Sequence, residues 1–198
     1  MIRAAIFDLN GVFIQSPKLS DRFASDFGVT AEKFIPALKQ IMSEIRRPEA
    51  GDAYLYWEPY LEKWGIQLDR DKFFAYWFES EREVPEMIEI AKLLKHNNIK
   101  LFILSNNFSE RANYYKNKFP FINEIFDEVY YSWQTGFTKD DPEAYRNVLV
   151  KNNLRPEECL YLDDSEDNVR VAKGLGIQAF KFDNIMTLKK VINSVCQN

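Results

Sequence analysis

The chain has 198 residues, 46% of them hydrophobic and 28% charged, with a formal net charge of −4. That length holds one sizeable domain with an insertion, or two small ones, and the acidic balance gives no excess of the cationic surface that nucleic acid or anionic lipid requires. Cys159 and Cys196 lie far apart without CxxC spacing, so they read as core filler in a reducing compartment rather than as a disulfide framework or zinc site. No apolar run approaches the roughly 18–20 residues of a membrane span, and the chain is expected to enter its first strand at once. The expectation is a cytoplasmic protein, monomeric by default, with neither nucleic acid nor membrane as partner.

Residues 2–7, IRAAIF, form a short, branched and aromatic run that reads as a buried parallel strand. The run stops at a carboxylate. Asp8 thus takes the carboxyl end of a core strand, where open α/β sheets place their chemistry, and Asn10-Gly11 turns the chain over it. Read alone, Asp8 serves equally well as a turn cap.

From Lys18 to about Glu83 the strand signal almost vanishes and apolar residues recur at helical spacing. Phe23 and Phe27, then Phe34, Leu38, Ile41 and Ile45, make i, i+3/i+4 stripes, with Thr30 as expected N-cap and Glu32 as a first-turn acid. Residues 46–52 break the pattern. Tyr54, Trp57, Tyr60, Leu61 and Trp64 make a third stripe, ended by Gly65, and Phe73, Phe74, Trp77 and Phe78 a fourth. Residues 16–83 are therefore expected as an inserted, all-helical subdomain glued by aromatics, with Tyr54, Trp57 and Phe78 as candidates to face a substrate.

From Val84 helices and strands alternate. Pro85 opens a helix that ends at Asn97-Asn98, and His96, the single histidine, sits near its end as a solvated residue that the helix dipole favours. A buried strand over 99–104 ends at Ser105-Asn106-Asn107, a helix runs to about Asn117, and a strand is expected over 126–131. Gly136-Phe137-Thr138-Lys139 forms a polar turn before a helix over 142–151. A strand over 159–162 ends at Asp163-Asp164, followed by a helix through Ala172 and Leu175, a strand over 178–182 and an amphipathic helix over 185–195. The fold class is α/β, with residues 1–15 and 84–198 as a Rossmann-like parallel-sheet core.

Right-handed crossovers bring the carboxyl ends of parallel strands to one edge, so Asp8, Ser105, Lys139 and Asp163-Asp164 are expected in one crevice. Three crowded carboxylates stay ionised only with compensation, which one lysine and a hard divalent cation would supply; magnesium suits such oxygen ligands. An aspartate beside a metal and phosphate donors can attack phosphorus.

Asp8-Leu9-Asn10-Gly11-Val12, Leu104-Ser105-Asn106, Gly136-Phe137-Thr138-Lys139 with Asp141-Pro142, and Tyr161-Leu162-Asp163-Asp164 with Asn168 resemble the four ordered motifs of the haloacid dehalogenase superfamily. The helical insertion is similar to the small cap of its phosphatase-like members. The resemblance implies a magnesium-dependent phosphatase of a small phosphorylated metabolite, a sugar phosphate being one candidate. Asp8 would be nucleophile and metal ligand, Ser105 the phosphate-binding hydroxyl and Lys139 the neutralising cation. Asp164 and the backbone carbonyl of Asn10 would be the remaining metal ligands, Asp163 would orient Lys139 or metal-bound water, and Asn106 would help hold phosphate or substrate.

Position 10 departs from that pattern, since the phosphatases usually carry there a second aspartate as general acid and base. Asparagine can only hydrogen-bond a leaving oxygen, and loss of acid–base help typically costs about 10²–10⁴ in rate. Three accounts compete: an introduced Asp→Asn change, a substrate whose leaving group needs little protonation, and a chain that binds without turnover. The rival functions are a 2-haloacid dehalogenase, against which the paired Asp163-Asp164 argues, and a non-catalytic metabolite- or protein-binding module.

Overall fold

The computed structural model describes residues 1–186 and residue 188. Its strands are β1 (Ala4–Phe7), β2 (Ile14–Gln15), β3 (Arg82–Glu83), β4 (Lys100–Ser105), β5 (Glu128–Tyr131), β6 (Cys159–Asp163) and β7 (Gln178–Lys181). Its helices are α1 (Leu19–Phe27), α2 (Ala31–Ile45), α3 (Tyr54–Lys63), α4 (Arg70–Phe78), α5 (Pro85–His96), α6 (Ser109–Lys118), α7 (Phe121–Ile125), α8 (Ser132–Thr135), α9 (Pro142–Lys151) and α10 (Glu166–Gly174).

Five strands make a parallel sheet in the order β5-β4-β1-β6-β7, so β1 is central. Side-chain alternation divides its residues between two apolar layers. Ala5 and Phe7 join Leu101, Ile103, Leu160 and Leu162 on the face covered by α5, α6 and α7. Ala4 and Ile6 join Phe102, Leu104, Cys159 and Tyr161 on the face covered by α9 and α10. Strands buried on both faces need apolar residues at every position, which is why β1 reads as a continuous run. Phe7 stands opposite Ile103 on one side and Leu162 on the other. The next residue, Asp8, therefore emerges between the ends of β4 and β6, and its N–H donates to the Leu162 carbonyl at 2.8 Å.

Helices α1–α4 share a third apolar cluster built on Phe23, Phe34, Trp57, Phe73 and Trp77. Trp57 and Phe78 are buried in it, and the Tyr54 hydroxyl donates to the Leu68 carbonyl at 2.7 Å. These three aromatics hold helices together. Phe108, from the loop after β4, inserts into the same cluster with its ring centroid 5.3 Å from that of Trp77. Thr30 does precede α2 in extended conformation, but its side chain makes no capping bond, whereas Asp69 caps α4 by accepting from the Lys72 N–H at 2.9 Å.

Three features differ from the sequence expectation. Ile14–Gln15 pairs antiparallel with Arg82–Glu83, a two-residue ribbon joining the segments that enter and leave the four helices. Residues 121–125 are helical, so β5 begins at Glu128 instead of residue 126. The chain also makes the single turn α8 before Gly136. The helix expected over 185–195 falls, beyond residue 188, outside the described residues, as does Cys196. Among the described residues no helix is long and apolar enough to cross a membrane, and Cys159 is a buried free thiol.

Candidate active site

At the carboxyl edge of the sheet the chain places Asp8 after β1, Ser105 at the end of β4 and Asp163-Asp164 at the end of β6. Lys139 enters from the loop before α9, and its Nζ stands 2.7 Å from Asp8 Oδ1 and 2.7 Å from Asp163 Oδ2. Burial pulls this ammonium down, but the two facing carboxylates overcome it and hold its pKa above the usual lysine value. The loop itself is pinned: the Lys139 N–H donates to Asn106 Oδ1 at 2.9 Å, and the Tyr145 hydroxyl sits 3.1 Å from the Lys139 carbonyl.

Asp163 is fully engaged. Its Oδ2 takes Lys139, the Tyr161 hydroxyl and Asn168 Nδ2 at 3.0 Å, while Oδ1 takes the Ser165 N–H at 2.8 Å. Burial alone would raise this carboxyl; Lys139 and the hydrogen bonds bring it below its usual value. Asp8 has fewer donors, the Leu9 N–H at 2.7 Å and Lys139, both on Oδ1. Burial, opposed by Lys139 and reinforced by Asp163 and Asp164, pushes the Asp8 carboxyl up to about 6. Asp164 opens toward solvent and leans over Gly11, where φ is +89° and a Cβ would lie 2.2 Å from Asp164 Oδ2. Glycine suits that turn, since any side chain there would be strained at this φ and would push the Asp164 carboxylate aside.

One carboxylate oxygen from each of Asp8, Asp163 and Asp164 lies within 4.8 Å of the other two. Three carboxylates against one ammonium leave two negative charges, and an all-oxygen set of that charge fits a hard divalent cation such as magnesium. Among the described residues no backbone N–H donates to the Asn10 carbonyl. The Asn10 side chain turns instead to α6, its Nδ2 donating to the Tyr115 hydroxyl at 2.6 Å. Ser105 Oγ is buried without a hydrogen-bond partner, and an orphaned buried hydroxyl is a place for a ligand oxygen.

Asp8, Ser105, Asn106, Lys139, Asp163 and Asp164 thus come together as expected from the sequence. Tyr161 belongs to the motif quoted above, but its hydrogen bond to Asp163 was not anticipated, although it stands two residues before Asp163 and so shares its face of β6. Tyr115 and Arg111 on α6 carry no local signal, because α6 is polar in sequence. Arg111 binds Glu81, a fully buried acid in the segment leaving α4, through Nε at 2.9 Å.

The family model for haloacid dehalogenase-like hydrolases matches residues 2–176. The chain belongs to this family. The hydrolase is 30% identical to the phosphorylated carbohydrates phosphatase of Thermotoga maritima, over 89% of this chain and 83% of that protein. It is 24% identical to mouse acyl-CoA dehydrogenase family member 10 over 98% of its own residues, yet spans only 19% of that protein's length. Among solved structures, a HAD family enzyme of Bacteroides thetaiotaomicron in complex with magnesium and inorganic phosphate shares the fold, with a TM-score of 0.79 and 20% identity over 95% of this chain and 99% of that one.

Proposed function

We propose that this hydrolase is a magnesium-dependent phosphatase that cleaves a small phosphorylated metabolite, with sugar phosphates among the candidates. The observation that carries the reading is the unpartnered Ser105 hydroxyl beside an Asp8 carboxylate already paired with Lys139. The printed name of the Thermotoga maritima relative points the same way. Asp8 Oδ2 attacks phosphorus, the bond to the leaving oxygen breaks, and an aspartyl phosphate forms on Asp8. Ser105 Oγ and the Asn106 amide donate to the phosphoryl oxygens while Lys139 offsets their charge. Water then attacks the same phosphorus, releasing inorganic phosphate and restoring the carboxylate. Asp8, Asp164 and the Asn10 carbonyl would hold magnesium, which supplies charge neutralisation for the phosphoryl group. Asp163 holds Lys139 in place. Residues 16–83 act as a cap that excludes water, over a core of 1–15 and 84–198.

Asn10 cannot protonate the leaving oxygen, and its amide is committed to Tyr115. Aryl phosphates, whose leaving groups need little protonation, are therefore the substrates to try first. Phosphate release from 4-nitrophenyl phosphate should require magnesium and vanish in Asp8→Asn. Asn10→Asp should raise turnover of alkyl phosphates by about 10²–10⁴ and of the aryl ester far less. Failure of both the chain and Asn10→Asp to release phosphate with magnesium present refutes the phosphatase reading. Halide release from a 2-haloacid would then identify a dehalogenase, and metabolite binding without turnover a binding module.

A further inference from the structure

Cations near the site are mostly spoken for: Lys139 serves two carboxylates and Arg111 serves Glu81. Arg46 is different. It caps the carboxyl end of α2, its Nε is buried without a hydrogen-bond partner, and no acidic group among the described residues forms an ion pair with it. Burial and then the neighbouring Arg111 bring its guanidinium down to about 10, while Asp8 and Asp140 act in the opposite direction. Arg46 is thus within electrostatic reach of Asp8. Arg46 is half-buried overall, and buried donors of a folded chain almost always find partners, so its unsatisfied Nε–H marks where an acceptor from outside fits.

That acceptor has room. A cavity of about 650 Å³ separates α2 from the loop leading to Lys139, lined among others by Lys39, Ser43, Arg46, Arg47, Thr138 and Asp140. Three cations face one acid there. Thr138 directly precedes Lys139, so the cavity opens beside the reacting group, but neither Asp8 nor Ser105 lines it. It therefore lies to the side of the place where a phosphoryl group would sit. Lys39 and Arg47 are exposed at its mouth, and Arg46 lies deeper. A guanidinium fork matches a carboxylate or phosphate edge in two parallel hydrogen bonds.

We propose that this cavity is a second anion subsite, and that the preferred substrate is a phosphate monoester bearing a further carboxylate or phosphate, which Arg46 binds. The inference rests on the phosphatase reading above and narrows its substrate class. Neutral sugar phosphates then become poor substrates, because they leave Arg46 unpaired on binding.

Three phosphonates that cannot be hydrolysed test it by calorimetry with excess magnesium: propylphosphonate, 3-phosphonopropionate and propane-1,3-bisphosphonate. They differ only at the far end, which is a methyl, a carboxylate or a second phosphonate. One of the two anionic ligands should bind at least about tenfold tighter than propylphosphonate, and which one identifies the anion. Arg46→Gln should weaken that ligand by about 10–100-fold, the range of a charge-assisted hydrogen bond, and leave propylphosphonate within about twofold. Arg46→Lys should restore part of the loss. Ser43→Glu, which adds charge on an exposed wall position without removing a buried residue, should also weaken only the anionic ligands. Equal affinity of the chain for all three ligands overturns the proposal, as does an equal loss for all three in Arg46→Gln. The second result would mean that Arg46 binds the reacting phosphoryl group instead. Hydrolysis of 4-nitrophenyl phosphate by the same preparations tests the phosphatase reading separately, and its absence leaves the phosphonate preference to decide the subsite.

Discussion

Replacing Gly11 by alanine should weaken metal binding as well as folding, by comparable free energies. A Cβ on Gly11 would stand 2.2 Å from Asp164 Oδ2 and 2.8 Å from its Cγ, whereas ordinary contact begins at 3.4 Å. The carboxylate must therefore retreat by about 1 Å. It can do so, because Asp164 faces solvent. The folding cost is then mainly that of holding alanine at a φ of +89°, about 1–2 kcal/mol. Magnesium tolerates displacement poorly, since it demands near-octahedral geometry at about 2.0–2.1 Å, and disturbing even the outer partners of a metal ligand costs about 10–100-fold in affinity. Urea denaturation without metal should show the first number, and magnesium calorimetry a weakening of at least about tenfold. Asp164→Asn should weaken magnesium similarly without the backbone cost. A Gly11→Ala protein that is less stable by the expected amount yet binds magnesium unchanged would show that Asp164 is not a ligand.

Lys139→Met removes the ammonium that two buried carboxylates share, and breaking such a pair typically costs about 3–5 kcal/mol; denaturation without magnesium should show this, and added magnesium should recover part of it. Trp57 is completely buried among the helices, so Trp57→Ala should cost about 3–5 kcal/mol, and near-ultraviolet circular dichroism should report the loosened helices. The Arg155 N–H first, then the Arg155 and Arg3 guanidinium groups, hold Glu158 at about 2, below its usual 4.5. A depressed acid stabilises the fold above its unfolded value and loses that contribution as pH falls through the folded one. Glu158→Gln should accordingly lower stability at neutral pH and flatten its decline between about pH 4.5 and 2 in acid titrations of unfolding.

Asp8 and Asp163 could be read in the sequence because each ends a mostly apolar run, and a carboxylate at such a boundary stands out against its neighbours. Their partner Lys139 was legible through order: a polar turn between two strands of one sheet must arrive at the same edge. The β2–β3 ribbon was not, since two-residue strands have no periodicity and their partners are separated by all four helices. Helix α7 spans five residues, too few for an amphipathic stripe. The hydrogen bond from Asn10 to Tyr115 and the position of Arg46 depend on how α6 and α2 settle over the sheet, and no spacing within either segment encodes that. Trp57 and Phe78 illustrate the opposite failing: an aromatic stripe looks the same whether it faces a ligand or a neighbouring helix.

Phe108 follows Ser105 by three residues, yet its ring lies among Phe74, Trp77 and Phe78 of α4. The loop is tethered like the short arm of a lever. Helices α1–α4 can swing from the sheet only by extracting that ring or by dragging residues 105–107 along. Extraction exposes a phenyl group to water, at about 1.5–3 kcal/mol, whereas dragging the loop strains the two hydrogen bonds between Asn107 and Ser132. A dragged loop would carry both the Ser105 hydroxyl and the Asn106 Oδ1 that accepts from the Lys139 N–H. On the function proposed above, a movement of α1–α4 that admits a substrate would also shift the groups proposed to receive it.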